Sequence, residues 1–68
     1  MIAEALVNGR SLQIRYVTPT NESQRTITPK YITQNKEVIY LVAYCHTRED
    51  QRTFRLDRIV RAEVIGNQ

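Results

Sequence analysis

Apolar and polar residues alternate along most of this chain, and the alternation starts at Ser11. In "SLQIRYV", Leu12, Ile14 and Tyr16 fall on one parity and Gln13 and Arg15 on the other. A half-buried strand has that pattern. Ahead of it, "IAEALV" (Ile2–Val7) carries good helix formers, with Ile2, Leu6 and Ala3 on one side. Asn8-Gly9 then supplies a stop, since both residues tolerate the left-handed backbone that ends helices. Such a helix has two turns at most and must pack on something to persist.

Further on, "TPTNES" reads as a loop of turn formers. "QRTITPKYIT" is rich in strand formers but contains Pro29. Proline cannot donate to the ladder, so this strand is either an edge or bends at a bulge there. "QNKE" is a short hairpin connection. The most apolar segment, "VIYLVAYC", is expected to be the central strand, with Ile39, Leu41, Ala43 and Cys45 in the core. Tyr40, Val42, Tyr44 and His46 then share its other face. "HTRED" turns the chain, "QRTFRL" and "IVRAEVI" supply two more strands, and "GNQ" reads as an end. Arg52, Arg55, Arg58 and Arg61 recur every three residues, a spacing that also suits one side of a helix. Thr53, Phe54, Ile59, Val60, Val64 and Ile65 favour strands instead, bent at Asp57-Arg58.

A short helix followed by five short strands predicts a mainly β fold. We expect a small five-stranded Sm-like or SH3-type barrel, because closure removes exposed strand edges. The whole chain, 1–68, forms one domain, with the helix over about 1–8 and the barrel over about 11–65.

Composition narrows the chemistry. With 68 residues, a chain buries only about 60% of the surface its unfolded state exposes. Cys45 is the only cysteine and His46 the only histidine, which excludes a disulfide and a Cys-based zinc site. Cys45 reads as a small buried hydrophobe, in keeping with a reducing, cytoplasmic setting. No apolar run approaches the roughly 18 residues of a membrane span, and the N-terminus has no signal-peptide pattern. Eight of the ten cationic residues are Arg, and the net charge is +3. Arginine suits bidentate recognition of phosphate and stacking on bases.

The stretch "IYLVAYCHTREDQRTFRLDRI" resembles the core of the WYL domain, an Sm-like, SH3-type barrel named for a Trp-Tyr-Leu triplet. Here the triplet is Ile39-Tyr40-Leu41, so its Trp is absent. Tyr16, "RTITP" with Arg25 and Pro29, His46 and "FRLDRI" fit the rest of the pattern, and the resemblance spans essentially the whole chain. It implies a ligand-sensing module of bacterial regulators, where it usually follows a helix-turn-helix. Such modules also occur beside CRISPR-associated proteins and at the C-terminus of some superfamily-1 DNA helicases. By position, the family's signature polar residues fall on Ser23, Arg25, Tyr40, His46 and Arg55.

Each candidate has a plain reading beside the functional one. Arg55 lies between Phe54 and Leu56, so alternation sends it away from the core. It is either a solvated face or a phosphate contact, with Arg48, Arg52 and Arg58 nearby in sequence. Glu49 and Asp50 could neutralise neighbours, and Asp57 is read as holding an Arg in place. Tyr40 and Tyr44 either cover the barrel against the helix or form a stacking platform. His46 is a surface residue or a hydrogen-bond partner for phosphate or base. Arg25 is an ordinary strand residue by pattern and a ligand residue by resemblance.

Three function classes follow. The favoured one is a regulatory or accessory module that binds single-stranded DNA or a nucleotide and modulates an attached effector, a helicase or a transcription regulator. A helicase accessory domain is the expected context, since the chain ends soon after its last strand. The alternative is a structural or oligomerising barrel, with a homodimer as its product. An enzyme is disfavoured: the adjacent Cys45 and His46 point to opposite faces of a strand and form no dyad. No cofactor or metal is expected.

Overall fold

The computed structural model describes residues 2–65. A helix, α1 (Ile2–Asn8), leads into β1 (Leu12–Thr18), β2 (Asn21–Asn35), β3 (Val38–Cys45) and β4 (Asp50–Arg55). A 3-10 turn (Leu56–Arg58) then connects to β5 (Ile59–Val64). The terminal "GNQ" lies outside the described residues.

Helix α1 stops where the pattern places the stop. Gly9 takes φ of 66°, and the Arg10 amide donates to the Ala5 carbonyl at 2.9 Å, the long closing bond of a Schellman cap. The buried residue is Ala5 rather than Leu6 or Ala3. The helix packs on β2, and a methyl side chain allows that close approach.

All pairings are antiparallel, in the order β4-β3-β2-β1-β5. The middle strand is therefore β2, and not β3 as its apolar composition suggested. The first half of β2 pairs with β1, from Thr18↔Asn21 to Leu12↔Ile27. Its second half pairs with β3, from Ile27↔Cys45 to Asn35↔Val38. Exchanging partners midway requires a bend, and the register shift between Pro29 and Tyr31 supplies it as a bulge. Of the two roles open to Pro29, this is the one it fills. The expected "TPTNES" loop shrinks to a Pro19-Thr20 turn, because β1 and β2 stay paired to Thr18↔Asn21. Lys36 and Glu49, in the other two hairpin turns, take the left-handed conformation.

The strand β3 is so apolar because both its faces are covered in the middle. Leu41, Ala43 and Cys45 join the core, while Val42 is buried on the opposite side. Ile39, expected in the core, is 43% exposed. It pairs with Gln34, where the β2–β3 hairpin projects past the end of β1. The 3-10 turn makes the bend expected at Asp57-Arg58. It packs against both β3 and β1 and joins the two edge strands, which curls the sheet into a small barrel. Inside lie Ala5, Leu12, Ile14, Ile27, Leu41, Ala43, Cys45 and Phe54. Among the described residues no polar side chain is buried.

Candidate ligand-binding site

Strand register decides which candidate side chains can act together. Tyr40 and Arg55 sit directly opposite each other on β3 and β4, on the outer face of the sheet. Both are half-buried. The Arg55 backbone amide donates to the Tyr16 hydroxyl at 3.0 Å, which ties the end of β4 to β1. Its guanidinium donates side-on to Asp57, Nε to Oδ1 at 3.0 Å and Nη2 to Oδ2 at 2.7 Å. Asp57 is thus the residue that holds an arginine in place. The hydrogen bonds from Arg55, and then its charge, hold the Asp57 carboxyl below its ordinary 3.8. In return they raise the Arg55 guanidinium.

Two further candidates meet elsewhere. Arg25 is opposite Ile14 and so lies on the interior face, half-buried at the rim of the barrel. Its Nε donates to Ser23 Oγ at 3.2 Å and its Nη1 to Cys45 Sγ at 3.9 Å. The guanidinium carbon stands 5.9 Å from the Phe54 ring centroid, within cation–π range. Arg52 is opposite Ala43 and two residues before Phe54, so it shares this interior parity and not that of Arg55. The arginines of β4 accordingly form no single wall.

The aromatic pair Tyr16 and Phe54, edge to face at 5.1 Å, bridges the two groups. Phe54 carries the Arg25 guanidinium and Tyr16 accepts the Arg55 amide. Tyr16 was legible as a strand residue; its bridging role depends on register that sequence does not display.

His46 shares the outer face with Tyr40 but lies at the other end of β3, about six residues on and roughly 20 Å away at strand spacing. It therefore shares no single small pocket with Tyr40. Its ring packs edge-on against Tyr44 at 4.8 Å, and Nε2 pairs with Thr28 Oγ1 at 2.7 Å. Thr28 Oγ1 is also 2.9 Å from Ser11 Oγ. The His46 amide donates to the Thr26 carbonyl, extending the ladder past Cys45. Arg48 is exposed in the following turn, and Arg58 is half-buried in the 3-10 turn.

Beside Arg55 a groove of about 350 Å³ is lined by Glu37, Val38, Ile39, Arg55, Leu56 and Asp57. Three apolar side chains, one cation and two carboxylates meet there. Among the described residues no cluster of metal-ligating side chains occurs, and no helix is long and apolar enough to cross a membrane.

Comparison with known proteins agrees with the fold. No curated protein matches the chain. Among solved structures, the chain is similar to proteasome accessory factor B/C (PafBC) of Arthrobacter aurescens, with 32% sequence identity and a TM-score of 0.90. The match covers 97% of this chain and only 11% of PafBC. The pattern of the WYL domain matches residues 1–64. This chain therefore belongs to the WYL domain family.

Proposed function

We propose that this domain is a regulatory module that binds single-stranded nucleic acid or a nucleotide and passes the bound state to an attached effector domain. One observation carries the reading: Asp57 fixes the Arg55 guanidinium beside Tyr40 on an uncovered sheet face. A side-on pair engages Nε and Nη2 and leaves Nη1 for a ligand oxygen. The neighbouring phenol offers a ring on which a base can stack. Arg25, at the rim over Phe54, supplies a second cation for the strand's phosphates, and Arg48, Arg52 and Arg58 add to the field. Ser23 holds the Arg25 head group, and His46 with Thr28 offers a further hydrogen-bonding point along the outer face. The domain performs no catalysis of its own. Its attached effector is a transcription regulator or a helicase, and it works in the cytoplasm.

Titration of a fluorescent single-stranded oligonucleotide against the 68-residue chain tests this. Arg55→Ala and Arg25→Ala should each weaken binding by about 1.5–3 kcal/mol, the worth of a hydrogen bond to a charged group. Absence of binding, or an affinity that both substitutions leave unchanged, overturns the reading.

A second reading has its own observation. Ile32 and Ile39 are both exposed on one face of the projecting β2–β3 hairpin, an apolar surface suited to protein contact. A barrel that only joins subunits would be concentration-dependent in size-exclusion chromatography and indifferent to nucleic acid.

A further inference from the structure

The groove beside Arg55 is unsuited to a phosphate. Glu37 and Asp57 place two carboxylates against Arg55 and the nearby Arg58, so the groove has no excess positive charge to draw an anion in. Val38, Ile39 and Leu56 give it apolar walls, which suit a flat, weakly hydrated ring. Asp57 is engaged with Arg55, whereas Glu37 is in no ion pair among the described residues. The groove therefore offers the Glu37 carboxylate as an acceptor and the Arg55 Nη1, not engaged by Asp57, as a donor.

Resting on the nucleic-acid reading above, we infer that this groove binds a guanine base. Glu37 accepts from guanine N1–H and N2–H, and Arg55 Nη1 donates to guanine O6. Guanine alone among the common bases presents two adjacent donors followed by an acceptor on its Watson–Crick edge. Adenine and cytosine offer a single donor beside ring acceptors. Uracil and thymine offer one N–H between two carbonyls, which a carboxylate repels. Single-stranded bases are commonly read on this edge. The phosphates stay outside the groove, near the cations at its rim.

The test compares GMP, IMP, AMP, CMP and UMP as competitors of the labelled oligonucleotide, together with hexamers of dT carrying one central dG. GMP and the dG hexamer should bind at least about tenfold more tightly than the others, the discrimination of one good bidentate pair. IMP, which lacks the N2 amino group, should lose most of that advantage. Preference shown only by the hexamer assigns the guanine to a strand, and preference by both admits a free nucleotide; either supports the inference. Glu37→Gln, an isosteric change at an exposed position, should abolish the guanine preference while leaving dT hexamer affinity unchanged. Binding of all the ligands within twofold, or a guanine preference that survives Glu37→Gln, overturns the inference and leaves the nucleic-acid reading standing. If no oligonucleotide or nucleotide binds, both fall together.

Discussion

Arg55 acts through its backbone and its side chain at once, and the two parts can be tested separately. The backbone amide donates to the Tyr16 hydroxyl. Tyr16→Phe keeps the ring on Phe54 but deletes that acceptor, and should cost about 1 kcal/mol in urea unfolding. The side chain is locked by Asp57, whose carboxyl lies below its ordinary 3.8. A depressed carboxyl contributes stability that is present above pH 3.8 and is lost as pH falls through the lower folded value. Acid unfolding followed by circular dichroism should therefore show a loss below about pH 4 that is smaller in Asp57→Asn. Equal acid limbs in the two proteins would show that the pair contributes nothing.

Among the elements, β2 sets the architecture, because it pairs with β1 and then β3 and bends at the Lys30 bulge between them. The helix before it depends on Gly9. A Cβ there would touch nothing within 4 Å, yet φ is 66°, so Gly9→Ala should destabilise by about 1–2 kcal/mol through backbone strain alone. Equal urea midpoints would contradict that. The helix stop, the alternation of β1 and the bend after β4 were legible in the residues, and Pro29 was legible as marking either an edge or a bulge. Each rests on local chemistry: a left-handed glycine, a period of two, a missing donor. The central position of β2 was not legible, because it depends on a partner exchange between strands distant in sequence. The same limit separated Arg52 from Arg55 and His46 from Tyr40. Their residue types suggested binding, but only register shows which of them share a face and an end of the sheet.

Among the described residues of the whole molecule, eight clustered buried side chains form one small core, with little stability to spare. Leu41→Ala, at a fully buried position opposite Phe54, should cost about 2–5 kcal/mol and leave much of the chain unfolded by circular dichroism at room temperature. At this scale Arg25 and Arg55 stand on the two sides of the Tyr16–Phe54 pair, the Arg25 guanidinium over the Phe54 ring and the Arg55 amide on the Tyr16 hydroxyl, with Arg58 beside Asp57. A strand held by both must lie across the aromatic pair, and its affinity must depend on salt. The most direct measurement is the slope of log affinity against log salt concentration for a single-stranded oligonucleotide. The account predicts a linear fall for the unaltered domain. Arg25→Ala should give a slope shallower by about 0.7, the value for one phosphate contact on a single strand. A flat line, or a slope that Arg25→Ala leaves unchanged, would contradict it.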